Sequence, residues 1–133
     1  MPQANVKMTV RKAGGAASII DITGEVTAFA EQVLNEAYGQ ASANGVRAVL
    51  LNFGGMDYMN SSGIGLLVTT LIRANRQGQK LMVFGLSEHY RHIFELTRLN
   101  EAIGLYGSEA EALAAAKAAS ENKDKEQRTK EGR

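Results

Sequence analysis

The sequence has no cysteine and almost no net charge, and each of these absences excludes a class of function. Without cysteine, the chain has no disulfide, no thiolate metal site and no cysteine nucleophile. The formal net charge of +1 argues against electrostatic capture of nucleic acid or of an anionic membrane. The N-terminal segment lacks the apolar run of a signal peptide, and no stretch approaches membrane-spanning length. We therefore expect a cytoplasmic protein that binds neither nucleic acid nor membranes.

Catalytic and nucleotide-binding motifs are also missing. A nucleophile elbow needs a glycine two residues before its serine, and Asn60 stands two residues before Ser62. The histidines His89 and His92 have no third metal ligand in register, so we interpret them as solvated helix residues. Gly63 and Gly65 match the first two glycines of a dinucleotide-binding fingerprint, but Val68 stands at the position of the third. No P-loop sequence occurs in the chain. The acidic residues near strand ends are Asp21, Glu25 and Asp57, and nothing pairs them as catalytic carboxylates. The sequence predicts neither an enzyme nor a bound cofactor or metal.

The chain does contain an alternation of strand and helix patterns, over a single domain that we place at residues 1–120. Strands are predicted at residues 7–12, 17–23, 48–53, 80–84 and 103–106, and helices at 27–43, from about 61 to Gly78, at 88–99 and at 108–120. This order predicts an α/β fold with a mixed, largely parallel sheet and helices packed on it. Residues 121–133 are charged and contain no apolar residue, so we expect a frayed helix end or a disordered tail there.

Residues 50–68 form the segment that is most favourable for a functional site. A buried strand leads into a predicted loop at residues 54–60, which delivers two adjacent serines to the start of a helix. Asn60 or Ser61 can cap that helix, and capping alone would explain a polar residue at this position. A second hydroxyl at Ser62 is more than one cap requires. A phosphate on a hydroxyl at this helix start would meet a favourable dipole and free N–H groups.

Four further residues of this segment point to a partner surface. Gly63 and Gly65 lower helix propensity in the first turn, which suggests that something approaches the backbone closely. Tyr58 and Met59 are large apolar residues in the predicted loop, where an exposed pair would suit a protein partner.

Three sequence blocks resemble the STAS domain, and specifically the stand-alone anti-sigma factor antagonists of bacteria. The first is IIDITGEV at residues 19–26, which matches the family's strand followed by a Thr-Gly-Glu/Asp turn. The second and most specific is residues 50–65, which matches a hydrophobic strand, a Gly-rich loop with Ser-Ser/Thr-Gly and the helix start. The third is LMVFGLSEHYRHIFELTRL at residues 81–99, and the whole resemblance covers residues 8–117.

The resemblance implies a mixed sheet with helices mainly on one face, and it implies a function. The unmodified antagonist binds an anti-sigma factor that is itself a serine kinase, and the sigma factor is released. Phosphorylation by that kinase ends the binding, and a serine phosphatase restores it. The modified residue corresponds to Ser61, with Ser62 as the less favoured acceptor. The partner-binding residues that the resemblance and the segment together indicate are Gly24, Glu25, Thr27, Tyr58, Met59, Asn60, Ser62, Gly63 and Ile64.

The chain departs from the family pattern at two of these positions. Asn60 stands where the family usually has Asp, and Thr27 stands where it often has an acidic residue. Both departures remove negative charge near the predicted switch. Two other functions remain alternatives, a STAS scaffold subunit of a larger signalling assembly and a small STAS partner of a membrane lipid transporter. A weak homodimer is also left open.

Overall fold

The structure is a computed structural model that describes residues 5–14 and 16–131 of the chain. The strands are β1 (Val6–Lys12), β2 (Ala17–Val26), β3 (Ala48–Met59), β4 (Lys80–Phe84) and β5 (Gly104–Tyr106). The helices are a short 3-10 turn (Ala28–Ala30), α1 (Glu31–Ala41), α2 (Ser61–Arg76), α3 (Glu88–Leu96), α4 (Leu99–Ala102) and α5 (Glu109–Glu131).

The strands form one sheet in the order β1-β2-β3-β4-β5. β1 pairs antiparallel with β2, and the other neighbours pair in parallel. The predicted mixed, largely parallel sheet is therefore confirmed. Because β2, β3 and β4 run in parallel, their carboxyl ends meet at one edge of the sheet, and the segments that follow them lie there together.

Different helices pack on the two faces of the sheet. Both faces carry buried side chains, because alternate residues of a strand point to opposite sides. Val49 and Leu51 of β3 belong to the main core, which includes Tyr38 of α1, Leu67 of α2 and Phe94 of α3. Each of these residues is at most 1% exposed. This three-helix layer confirms the prediction that most helices lie on one face.

The opposite face of the sheet is covered by α5 alone among the described elements. Leu50 of β3 and Met82 of β4 pack there against Ala112 and Ala116 of α5. The small alanine side chains let this helix lie close to the sheet.

Two strands run further than the sequence predicted. β2 continues past Gly24 to Val26, and β3 continues through the predicted loop at residues 54–60 as far as Met59. Gly24 has a φ of +95°, and a Cβ there would lie 2.3 Å from the carbonyl oxygen of Asn5, so this glycine lets β1 and β2 approach and does not end β2.

The extension of β3 was missed because its glycines indicate a turn in sequence. Gly55 instead lies against β2, where a Cβ would be 2.8 Å from the Cγ2 atom of Thr23. The register between the two strands shifts once between Asp21 and Thr23 and again between Gly24 and Glu25, so β3 carries extra residues as β-bulges. Such bulged strands need close backbone approach, which glycine permits.

Three predicted helices also have different bounds. The helix predicted at residues 27–43 begins with the 3-10 turn and ends at Ala41. The helix predicted at 88–99 is two helices, because Arg98 takes a left-handed conformation with a φ of 61° between α3 and α4. α5 continues beyond residue 120 to Glu131, since residues 121–131 contain no glycine or proline to end it. That residues 121–133 lie outside the folded domain stays a prediction.

Candidate functional site

The candidate site lies where β3 ends and α2 begins. Asn60 is the N-cap of α2, and its Oδ1 atom accepts a hydrogen bond from the backbone N–H of Gly63 at 3.0 Å. Its carbonyl oxygen accepts the first helical bond, from the N–H of Ile64 at 3.0 Å. The sequence left the cap open between Asn60 and Ser61, and the structure assigns it to Asn60. Ser61 is therefore free of any capping role.

The two serines of the site present unoccupied hydroxyls. Ser61 and Ser62 are both exposed at the first helical positions of α2. Within the described residues, neither hydroxyl forms a hydrogen bond to another group of the protein. The N–H groups at the start of a helix have no partner inside the helix and carry the positive end of its dipole. A negatively charged group on either hydroxyl would thus enter a favourable field.

Gly63 has an internal reason for lacking a side chain. It is buried, and a Cβ there would lie 2.1 Å from the carbonyl oxygen of Val26 and 2.8 Å from the Cγ atom of Met59. The close approach that the sequence suggested is real, but it is made by the ends of β2 and β3 and not by a partner. These contacts explain the glycine from within the molecule, and the place of Gly63 on a partner surface stays a prediction.

Gly65 differs from Gly63, because a Cβ there would have no atom within 4 Å. It is exposed two residues further along α2. Nothing inside the described molecule requires glycine at this position, so its role in the close approach of a partner stays a prediction.

Tyr58 and Met59 do not form the exposed pair that the sequence suggested. The Tyr58 side chain is 47% exposed, whereas that of Met59 is 4% exposed and belongs to the main core. The reason is that both residues lie on a strand, where neighbours point to opposite sides. Tyr58 remains a candidate contact residue, and Met59 is corrected to a core residue.

The remaining predicted residues lie at the carboxyl end of β2 or in the first turn of α2. Gly24 and Glu25 are half-buried, and Glu25 stands opposite Tyr58 in the β2–β3 register. Thr27 caps the 3-10 turn, its Oγ1 atom accepting a hydrogen bond from the N–H of Phe29 at 3.3 Å. Ile64, also half-buried, packs against the main core. The structure thus brings the β2 end and the start of α2 to one place.

Three exposed apolar residues near this site were missed by the sequence analysis. Val68 and Ile72 of α2 are 37% and 51% exposed, and they follow Ser61 and Gly65 at helical spacing along one face of α2. Phe29, which is 57% exposed, lies in the 3-10 turn that packs against α2. Together with Tyr58 these residues are called the exposed apolar set. The signal was present in the helical spacing of Val68 and Ile72 from Ser61 and Gly65.

An ion-pair network occupies the other face of the sheet. Arg11 donates to Asp21 through Nε at 2.5 Å and to Glu109 through Nη2 at 2.6 Å. Asn52 adds a hydrogen bond from Nδ2 to Asp21 at 2.8 Å. The hydrogen bond from Arg11 is the main cause that holds the pKa of Asp21, and that of Glu109, below their ordinary values. Asp21 is thereby accounted for as a structural residue.

The described part of the chain offers no group of three His, Asp or Glu side chains arranged to hold a metal ion. His89 and His92 are exposed on α3, as the sequence predicted. None of the described helices combines the length and the apolar character that crossing a membrane would require.

Comparisons with known proteins agree with this architecture. A family model described as the STAS domain matches residues 7–112. The chain is similar to the anti-sigma-B factor antagonist of Staphylococcus aureus (strain NCTC 8325 / PS 47), with 29% identity over 82 residues, which are 62% of this chain and 76% of that protein.

Two solved structures are similar in fold. An anti-sigma factor antagonist from Mycobacterium paratuberculosis has a TM-score of 0.73 at 20% identity, covering 87% of this chain and 99% of that one. The Bacillus cell fate determinant SpoIIAA in its phosphorylated form has a TM-score of 0.63 at 19% identity, covering 82% of this chain and 98% of that one. At this level of identity the likeness establishes the sheet and its helices.

Proposed function

Since the chain belongs to the STAS domain family, we propose that it is an anti-sigma factor antagonist whose partner binding is switched by phosphorylation of Ser61. In the unphosphorylated state it binds an anti-sigma factor that is a serine kinase, and the sigma factor is freed. Phosphorylation ends the binding, and a serine phosphatase restores it. The protein is then a cytoplasmic substrate of these enzymes and not an enzyme itself. The name of the Staphylococcus aureus relative supports this assignment.

The observation that carries the proposal is the state of the Ser61 hydroxyl. It is exposed at the first position of α2, and Asn60, not Ser61, caps this helix. A kinase can therefore reach this hydroxyl without unfolding α2. The phosphorylated form of SpoIIAA, solved for a protein of the same fold, supports a modification of this kind.

The electrostatics of the helix start favour a phosphate on Ser61. A phosphoserine carries about two negative charges and accepts hydrogen bonds strongly. The N–H of Gly63 already donates to Asn60, but the N–H groups of Ser61 and Ser62 precede it at the positive end of α2. The modification is thus compatible with an intact fold, and its effect falls on the partner.

The surface around Ser61 explains how a phosphate would end the binding. The exposed apolar set gives a partner apolar area on the same face of α2 as Ser61 and beside it. An apolar contact between this surface and the partner excludes water. A phosphate on Ser61 would lose its hydration in that contact, and the apolar side chains offer no cation to compensate for the loss. The unmodified hydroxyl has no such cost.

A pull-down from native lysate tests the proposal, with the wild-type protein, Ser61→Ala and Ser61→Asp as baits. We expect the wild type and Ser61→Ala to retain a serine-kinase anti-sigma factor, identified by mass spectrometry, and Ser61→Asp to lose it. Ser62→Asp is the matched control, since it adds the same charge one residue further along α2 and should retain more of the partner. Equal retention by all four baits, or recovery of transporter or scaffold subunits, would contradict the proposal.

A further inference from the structure

The end of β3 extends beyond the strand that pairs with it on one side. β4 ends at Phe84, which stands opposite Asn52, whereas β3 continues to Met59. Past Asn52, the edge of β3 that faces β4 has no pairing with β4, and at its buried end, Met59, an unpaired backbone N–H group away from water would be costly. The side chain of Asn52 supplies a partner for Gly54, its Oδ1 atom accepting from the N–H of that glycine at 2.9 Å.

Tyr90 supplies the partner at the far end of β3. Its hydroxyl accepts a hydrogen bond from the backbone N–H of Met59 at 3.0 Å. The next N–H along the chain, that of Asn60, points the other way and donates to the carbonyl oxygen of Val26 on β2 at 3.4 Å. The last two peptides before the cap of α2 are thus held one after the other, the first by a side chain of α3 and the second by β2.

Tyr90 is itself held in place. The backbone N–H of Tyr90 donates to the hydroxyl of Ser87, the N-cap of α3, at 3.4 Å. The side chain is half-buried and packs against the main core, and its ring meets that of His89 edge to face at 4.9 Å between centroids. A tyrosine with this support presents its hydroxyl at a fixed point.

The held segment leads directly to Ser61. Met59 packs its side chain against Gly63, and Asn60 caps α2 through the N–H of the same glycine. The position of the Ser61 hydroxyl therefore depends on where β3 ends. We propose, building on the proposed function, that Tyr90 is a positioning residue for Ser61: its hydroxyl fixes the end of β3 so that the kinase meets the serine in one orientation.

The substitution Tyr90→Phe tests this, with Tyr38→Phe as the matched control. Tyr38 also uses its hydroxyl in one hydrogen bond, donated to the Oε1 atom of Gln79 at 2.7 Å, near the start of β4 and away from Ser61. Each variant removes one hydroxyl and one hydrogen bond. They differ in which end of the sheet they affect.

Amide hydrogen exchange in the free protein is the first readout and needs no partner. Loss of one hydrogen bond should make exchange at Met59, Asn60 and Gly63 about five- to ten-fold faster in Tyr90→Phe. Tyr38→Phe should leave these three amides at the wild-type rate. Unchanged exchange in Tyr90→Phe, or equal changes in both variants, would overturn the positioning role.

Phosphorylation of Ser61 by the kinase recovered in the pull-down is the second readout. We expect kcat to fall several-fold in Tyr90→Phe at little-changed KM, because the partner surface is intact while the hydroxyl is misplaced. Tyr38→Phe should match the wild type. Faster exchange in Tyr90→Phe with wild-type kcat would refute the positioning of Ser61 while leaving the antagonist function standing. If no kinase is recovered, the proposed function fails and the exchange rates alone decide whether Tyr90 fixes this segment.

Discussion

At the scale of a single residue, the capping of α2 is done by Asn60 and not by its neighbour Ser61. The side-chain oxygen of Asn60 provides the cap, so Ser61 does not have to. An aspartate, which the family usually has here, offers the same oxygen geometry and caps a helix about as well as asparagine. The departure therefore leaves the fold of the site unchanged and alters its charge.

Substitution of Asn60 should separate capping from charge. Asn60→Ala removes the acceptor for the N–H of Gly63 and should lower the free energy of unfolding by about 1 kcal/mol. Asn60→Asp keeps the acceptor and adds a charge favoured by the helix dipole, so its free energy should stay within about 0.5 kcal/mol of the wild type. Urea unfolding measures both.

Asn75→Ala is the control for this pair, since Asn75 is exposed in the last turn of the same helix. It should leave the free energy of unfolding nearly unchanged. A wild-type value for Asn60→Ala would contradict the capping role that the structure gives to Asn60.

Sequence reasoning went furthest at residues whose chemistry is local. The sequence narrowed the cap of α2 to Asn60 or Ser61 and placed Tyr58 on the surface, and both depend largely on near neighbours in the chain. The burial of Met59 and the need for glycine at position 63 do not, because both arise where α2 meets the end of β2, which is far away in sequence. No single-residue pattern reports such a contact.

At the scale of elements, α5 is tied to the sheet by charge as well as by packing. Arg11 of β1 bridges Asp21 of β2 and Glu109 in the first turn of α5. The bridging side chains are partly exposed, so solvent weakens each pair, but the shared arginine links three elements. The sequence could not predict this link, since it joins residues separated by most of the chain.

Acid should weaken this link in a defined direction. The pKa values of Asp21 and Glu109 are lowered in the folded state, mainly by hydrogen bonds from Arg11. A lowered folded pKa means that the stabilisation is complete above the unfolded pKa and is lost as the pH falls through the folded one. We therefore expect the free energy of unfolding to fall as the pH drops from above 4.5, the ordinary pKa of Glu109, to below 3.8, that of Asp21.

Arg11→Met should flatten this pH dependence, because it removes the common partner of both carboxylates. Lys12→Met is the matched control, as it deletes the same charge from the neighbouring, exposed residue of β1 and should keep the wild-type slope. Chemical unfolding over this pH range measures the slopes. Equal slopes for Arg11→Met and the wild type would show that the network does not contribute to acid stability.

At the scale of the whole molecule, the first part of α5 completes the packing of the described fold. Ala112 and Ala116 cover the second face of the sheet, and the carbonyl oxygen of Ser120 accepts a hydrogen bond from Arg47 at 3.4 Å. That the domain ends at residue 120 stays a prediction. The element order was predictable from apolar periodicity, and the largely parallel sheet from the alternation of strands with helices.

Truncation should locate the boundary. Removing residues 121–133 should change the free energy of unfolding by no more than about 0.5 kcal/mol, because these residues contain no apolar side chain to bury. Removing residues 112–133 as a control should cost more than about 3 kcal/mol, since it opens the face formed by Leu50 and Met82. A large loss from the shorter truncation would place the C-terminal segment inside the folded domain.

The extra residues that β3 carries past its register shifts also set a rule for insertions and deletions. Tyr58 faces outward and Met59 inward because of how many residues separate them from Asn52, where β3 leaves β4. If both bulges are kept, removing or adding one residue between Gly54 and Asp57 would exchange the two sides, so that a tyrosine would be driven into the core and a methionine into solvent. A single-residue length change in this segment should therefore be accepted only where a bulge is lost or gained with it, or where the large apolar side chain moves one place earlier or later.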